Sequence, residues 1–471
     1  MSEPKQKKSK LQRLIGKYVS FGNMDPVFFV IVIVIICFGL VMLFSASSYV
    51  SYTNTGSSTA YFFNQLRNAA LGAVVMLVLS RISIKLWLKL RYFVFGFATF
   101  LLIIVLFMSG DSNGIKRWIT IGSIQFQPSE LAKFALILIC AYIFSKYYPQ
   151  FISPSPQPSD GAITCMLRDK TGKSFNFIKG TWFPSVAAAV ATALFAGLVF
   201  MESHLSGCII MFIIGVYMMF LGGVRKRWFV IGGIGVFALA AIMCFIVITT
   251  YGTDSDNFIT NLLQDYMGER IIAWWDKDYE PLGARWQVNE SIYAIGYSGI
   301  FGVGFGNSTM KYGYVSEPAN DFIFAIICEE LGLIGALAVV VLFILLVWRG
   351  IHIARRSKSR FGALIVCGIV LQVAVQAFLN IAVATDSIPN TGISLPFFSY
   401  GGTSLIVLMG EMGIIMSVSR SMNDEDKIPA IFRKSSKKRK RRARDEGNYC
   451  CRRNRRSCQS RHCACPAAKK G

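Results

Sequence analysis

Apolar residues run along this chain in long blocks, separated by short polar or glycine-rich segments. A helix needs roughly 17 to 25 apolar residues to cross the ~30 Å hydrocarbon layer of a bilayer. Apolar blocks of about 12 to 26 residues are predicted at about 27–43, 68–79, 93–108, 128–144, 184–201, 207–221, 229–249, 322–347, 361–383 and 405–418. Asp25-Pro26 reads as an N-cap followed by proline at the first helical position, which opens the first block. The segments between blocks alternate in charge. Lys5 to Lys17, Arg81 to Arg91, Arg168 to Lys179, Arg225 to Arg227 and Arg349 to Arg360 are basic, and the intervening turns are poor in Lys and Arg. By the positive-inside rule the basic segments are cytoplasmic. The pattern predicts an all-α polytopic membrane protein of about ten transmembrane helices. Both termini are cytoplasmic, and a large extracytoplasmic loop lies between spans seven and eight.

Composition agrees. The chain has 471 residues, 54% hydrophobic and 16% charged, against about 25% charged in a soluble domain. A net charge of +23 would fit nucleic acid if it formed a patch. Here the excess lies in loops and tails on one side, which points to anionic lipid headgroups and to no nucleic-acid partner. The first apolar block follows a basic leader without a small-residue cleavage site, so it reads as an anchor. Three parts follow: a basic leader at 1–24, a membrane domain at 25–420, and a basic, cysteine-containing tail at 421–471 that is expected to be disordered. The tail's Cys450, Cys451, Cys458, His462, Cys463 and Cys465 match no common zinc spacing. Cysteines within the apolar blocks read as small buried thiols. The inner loop at 145–183 contains a Pro/Ser linker and a basic surface segment.

The loop at 250–320 reverses the charge sign, with acidic residues outnumbering Arg270, Lys277, Arg285 and Lys311. It shows no plain secondary structure, and a loop of that length is usually functional. Its Gly296, Gly299, Gly302, Gly304 and Gly306 would permit tight turns close to a ligand. They follow no strand and precede no Lys-Ser/Thr pair, which argues against a nucleotide loop.

Candidate chemistry concentrates at 316–332, SEPANDFIFAIICEELG. Asp321 sits where the polar loop meets the apolar block. It is either a helix N-cap or a carboxylate poised between water and lipid, stabilised by the helix dipole. At about 100° per residue, Glu329 lies about 80° round the helix from Asp321 and Glu330 about 180°, so only Glu329 is placed to line the same groove. Glu130 and Lys133 share a helix face one turn inside the membrane, as an ion pair or as the polar lining of a substrate groove. Gln372, Gln376 and Asn380 recur every four residues and read as interhelical hydrogen-bonding groups. His204 is a polar interfacial residue or a proton shuttle. Arg117-Trp118 reads as an interfacial pair in an outer surface loop at 109–127. Glu130, Lys133 and Glu411 would also suit a transporter pathway, although no internal repeat accompanies them.

Several stretches together resemble the SEDS family (shape, elongation, division and sporulation), which includes FtsW, RodA and SpoVE. They are GLVMLFSAS, NGIKRWITIGSIQFQPSELAK, AIGYSGIFGVGFGNS, EPANDFIFAIICEELG and IPNTGISLPFFSYGGTSL, in the family's order over about residues 25–420. The resemblance implies a multi-pass protein of the bacterial cell membrane. It also implies a peptidoglycan glycosyltransferase that polymerises lipid II, the undecaprenyl-pyrophosphate-linked disaccharide-pentapeptide. YFFNQL and SAS look closer to the division and sporulation branch, so septal synthesis is expected over a RodA-like elongation role or a lipid II flippase. Asp321 matches the family's essential aspartate. As expectations of the same resemblance, Arg285 or Lys311 contacts pyrophosphate, and Lys133 with Glu130 lines the lipid-substrate groove. Gln127, Glu317 and Ser399 are further substrate-binding candidates. A divalent cation (Mg or Mn) is expected with its ligands unassigned. A class B penicillin-binding protein and other division proteins are expected as partners. The chain departs from the family at 203–207, where SHLSG replaces a PDLG-like turn.

The sidedness is testable. A reporter active only in the cytoplasm should be active when fused after Gly471 and silent when inserted in the 250–320 loop. Activity at both places would break the ten-span topology.

Overall fold

The structure is a computed structural model. It describes residues 22–108, 117–121, 124–152, 182–202, 204–224, 266–277, 285–315 and 317–422, with a few isolated positions in 228–245 and at 283. Helices α1 (Pro26–Thr55), α2 (Ala60–Arg81) and α3 (Ile84–Phe107) come first. A hairpin of β1 (Ile119–Ile121) and β2 (Ile124–Phe126) leads into α4 (Pro128–Ile152), α5 (Trp182–Met201) and α6 (Leu205–Gly222). Then come α7 (Tyr266–Trp275), α8 (Trp286–Tyr297), α9 (Ile323–Arg356), α10 (Arg360–Ala384) and α11 (Gly402–Met422). Among the described residues nine helices are long and apolar enough to cross a membrane. The expected seventh span, about 229–249, lies almost wholly outside the described residues, as do the leader, the 153–181 part of the inner loop and the tail beyond 422.

Two expectations change. The loop at 109–127 contains an antiparallel hairpin pairing Ile119 with Phe126 and Ile121 with Ile124. The long outer loop carries two helices, α7 and α8. Their short amphipathic periods were lost among its glycines and acidic residues.

The bundle is arranged around α4, most of whose residues are buried, whereas few of those of α3 are. Helices α3, α5, α6 and α10 surround it, and α2 packs chiefly on α11. That last contact is close because Gly413 has no Cβ; one added there would lie 2.4 Å from the Met76 carbonyl oxygen. Small residues of this kind let membrane helices approach where no water-driven burial pulls them together. Val30, Val34 and Val41 of α1 are exposed around the bundle, as expected of a face covered by lipid chains. At the cytoplasmic end, Asp25 caps α1 by accepting from the Phe28 N–H at 3.0 Å, as expected. Asp25 also accepts two bonds from Arg349 of α9, at 3.1 and 2.7 Å.

Helix α9 is broken at Gly332 (φ 67°, ψ −161°). A break inside hydrocarbon would strand backbone groups that water cannot reach. The glycine loop after α8 meets them. Val303 and Gly304 N–H donate to the Glu329 and Glu330 carbonyls at 2.9 and 3.0 Å. Leu333 and Ile334 N–H donate to the Gly299 and Ile300 carbonyls at 3.1 and 3.3 Å. The close approach needs glycine on both sides: a Cβ on Gly332 would lie 2.4 Å from the Ile300 oxygen, and one on Gly302 would lie 2.3 Å from the Glu330 oxygen. These glycines therefore close on the protein's own backbone and not on a ligand.

Gly332→Ala and Gly302→Ala should each cost more than about 2 kcal/mol, from positive-φ strain plus a backbone clash. Gly296→Ala, which meets open space, should be neutral. Thermal unfolding followed by the monodisperse fraction in size exclusion reads this. Equal loss in all three variants would remove the glycine junction as the cause.

Candidate active site

Asp321 lies two residues before α9, and Phe322 occupies the cap position with no side-chain capping bond. Asp321 is therefore not held as a helix cap. Its peptide is held by the loop joining α10 to α11. Tyr400 N–H donates to the Ala319 carbonyl at 2.8 Å, and the Ser399 hydroxyl donates to the Asn320 carbonyl at 2.6 Å. Asn380 of α10 donates to the Asp321 carbonyl at 2.7 Å and to the Ile393 carbonyl at 2.6 Å. Gln65 of α2, inside the YFFNQL stretch, braces the same loop by donating to the Ser399 carbonyl at 3.1 Å. Three consecutive carbonyls are thus tied down, and the half-buried carboxylate of Asp321 is set against the loop at Gly392.

Gly392 (φ 65°) forms a cradle. A Cβ there would lie 3.3 Å from Asp321 Oδ2 and 3.5 Å from Arg270 Nη1, so carboxylate and guanidinium share that space. Arg270, on α7, donates to the Asn390 carbonyl at 3.0 Å, and Asn390 donates to Gln287 of α8 at 3.1 Å. Burial, reinforced by the negative charge of Glu317, raises the Asp321 carboxyl to about 6, while Arg270 and Arg117 pull the other way. Glu317 is exposed, has φ 56°, and accepts from Asn320 at 2.6 Å. Arg117, at the foot of the hairpin, also acts on the turn between α5 and α6. There Glu202 is fully buried and pushed up to about 8 by burial, with Arg117 opposing. His204 is pushed down to about 3 by burial, aided by the positive charges of Arg117 and Lys133. The same burial that disfavours the charged imidazole counts against a proton-shuttle role for His204.

The polar stripe of α10 makes the interhelical bonds expected of it. Gln372 donates to Glu411 of α11 at 3.0 Å. Gln376 accepts from Lys133 at 3.1 Å and donates to the Ser394 carbonyl at 3.3 Å. Lys133 is also paired with Glu130 at 2.8 Å, and both are buried. A continuous polar path thus runs from the Glu130–Lys133 pair through Gln376 to the loop that holds Asp321. Gln127 is buried at the start of α4, where its carbonyl accepts from the Glu130 N–H at 3.3 Å.

The other expected residues lie in different environments. Arg285 is 3% exposed, ion-paired with Asp386 at 2.8 Å, and bonded to the Ala273 carbonyl at 2.5 Å; it clamps α7 and α8 onto the end of α10. Lys311 is 2% exposed and bonds Glu330 and Ser45 at 3.0 and 3.1 Å. Ser45, from the SAS stretch, donates to Glu330 at 2.5 Å. Both cations are engaged inside the protein. Glu329 does not line a groove with Asp321: it is buried and accepts from Ser308, from the Thr309 N–H and hydroxyl, and from the Met310 N–H. The cations that act on Asp321 are Arg270 and Arg117, which the sequence shows only as loop residues. The one signal was that Arg270 is a rare cation in an acidic segment. Among the described residues no group of three or more His, Cys, Asp or Glu side chains converges as a metal site. The expected divalent cation therefore has no such donor set among the described residues.

The family model described as "Cell cycle protein", the FtsW/RodA/SpoVE model, matches residues 25–424. A relative from Geobacter sp. (strain M18), named "Probable peptidoglycan glycosyltransferase FtsW", is 30% identical over 401 residues, covering 84% of this chain and 97% of its own. Stage V sporulation protein E of Bacillus subtilis (strain 168) is also 30% identical, with 84% and 97% covered. Among solved structures, a chain of a peptidoglycan synthase complex superposes with a TM-score of 0.64 at 23% identity, covering 85% of this chain and 98% of its own. The rod shape determining protein RodA of Thermus thermophilus superposes with a TM-score of 0.56 at 23% identity, with 84% and 97% covered. The helices of membrane-crossing length and apolarity among the described residues and the match across nearly the whole membrane domain agree: this chain belongs to the FtsW/RodA/SpoVE family of polytopic membrane proteins.

Proposed function

We propose that this protein is a peptidoglycan glycosyltransferase that polymerises lipid II at the extracytoplasmic membrane surface, in septal wall synthesis. The observation that carries the mechanism is the Asp321 carboxylate, half-buried and set against the Gly392 cradle beside Arg270. Relatives with 30% identity named as peptidoglycan glycosyltransferases support the activity. The FtsW-named relatives and the YFFNQL and SAS stretches support the division role.

Asp321 accepts the proton of the acceptor sugar hydroxyl. The freed oxygen attacks the anomeric carbon of the donor as its bond to pyrophosphate breaks, and undecaprenyl pyrophosphate leaves with that electron pair. A base works best with a pKa near the working pH, and burial brings this carboxylate up toward it. The leaving group is already good, so no second carboxylate need protonate it. Arg270 and Arg117 meet the charge that develops on it. Glu317, Gln127 and Ser399 hold the surrounding loop and helix start in place. Lys133 and Glu130 supply the polar wall toward the lipid side. The flippase reading would need Glu130, Lys133 and Glu411 along an open path; each is instead bonded to a neighbouring side chain. A class B penicillin-binding transpeptidase is the proposed partner, consistent with the fold shared with a chain of a peptidoglycan synthase complex.

Purified protein given lipid II should produce glycan strands on gels, and Asp321→Asn should lower the rate at least about 100-fold with unchanged size-exclusion behaviour. Wild-type activity should fall about tenfold per pH unit below about 6, as the carboxylate protonates. Arg270→Gln should move that acid limb to higher pH, because the arginine holds the carboxyl down. Normal polymerisation by Asp321→Asn would end the general-base reading. Lipid II translocation without polymer would favour the transporter.

A further inference from the structure

On the face opposite Asp321, a cavity of about 860 Å³ lies among the cytoplasmic ends of α1, α2, α9 and α11. That is within the roughly 300–1,000 Å³ typical of small-molecule sites. Its lining includes Arg81, Arg356, Lys358 and Arg420, with Ile353 on the apolar side and Asp25 as its one carboxylate among the described residues. The positive-inside rule accounts for basic residues at this level. It does not account for four of them, from three different helices and the turn after α9, converging on one cavity. The carboxylate does not balance them, because Asp25 is held by Arg349 at 2.7 Å, and Arg349 does not line the cavity. Arg81, Arg356 and Lys358 are exposed and have no ion pair among the described residues. Arg420, 7% exposed, is fixed deeper by donating to the Gly22 carbonyl at 2.9 Å.

We infer that this cavity is a binding site for a phosphate-bearing anion, and that its occupant is the headgroup of an anionic phospholipid of the inner leaflet. A pocket at headgroup depth where Arg81, Arg356 and Lys358 have no ion pair among the described residues, with an apolar wall beside it, matches such a ligand in both charge and polarity. Basic pockets between helices on the cytoplasmic side take anionic headgroups for this reason. The site is independent of the Asp321 chemistry and stands whether or not that reading does.

Native mass spectrometry of the full chain in detergent tests it, with phosphatidylglycerol, phosphatidylethanolamine and inorganic phosphate added separately. Phosphatidylglycerol should be retained one to one and in preference to phosphatidylethanolamine. Arg356→Gln/Lys358→Gln should weaken its retention about tenfold or more, at roughly 1 kcal/mol per cation. Lys85→Gln/Lys89→Gln, which removes two cytoplasmic charges outside the cavity, should leave retention unchanged. Arg81→Gln, on a different helix, should weaken it even if the double variant folds poorly, and Arg356→Lys/Lys358→Arg should restore it. Retention of inorganic phosphate with no lipid preference would keep the anion site and overturn the lipid. Equal retention of both lipids and of phosphate by the cavity and control variants would overturn the site.

Discussion

Within a hydrocarbon layer every polar group must be met by another part of the same chain, and the junction at Gly332 shows how far that requirement shapes this protein. The break in α9 exposes carbonyls and N–H groups that only the 299–304 loop can reach. The loop reaches them only because two glycines leave room. The same helix carries Glu329 and Glu330, which draw 308–311 and Ser45 onto it. The outer loop is thus built onto α9 before it contributes anything chemical. Asp321 is positioned by what surrounds the start of that helix.

The charges fall into two groups. Arg285–Asp386, Lys311–Glu330, Glu130–Lys133 and Gln372–Glu411 are mutually engaged, and all of them but the half-buried Asp386 are buried. Each removes a cost that an isolated charge or polar group would impose inside the bundle. Asp321 differs. Its charge acts with Arg270, Arg117 and Glu317 across a half-exposed cradle, and its backbone, not its carboxylate, carries the structural bonds. A carboxylate released from structural duty, held in place through its own peptide, is the arrangement a proton acceptor needs.

The two faces of the protein also differ. Outside, Arg270 and Arg117 act on the Asp321 carboxylate, with Glu317 opposing them. Inside, Arg81, Arg356 and Lys358 surround a cavity whose one carboxylate among the described residues is already engaged by Arg349. The outer face is arranged around a reacting group and the inner face around an excess of positive charge.

Nine of the ten expected spans, all those within the described residues, the cap at Asp25 and the hydrogen-bonding face of α10 were readable from the sequence. Each is a local property of composition or of helical periodicity, and the solvent that selects it is uniform along the chain. The motif stretches likewise marked the family and singled out Asp321. What the sequence could not assign was which cations face that carboxylate. Arg285 and Lys311 are as plausible as Arg270 until the fold pairs the first two elsewhere. The hairpin, the helices of the outer loop and the Gly332 junction were hidden for the same reason. Arg270 meets Asn390 across 120 positions and Gln65 meets Ser399 across 334; contacts at such separations are set by how helices stack, not by any pattern along the chain.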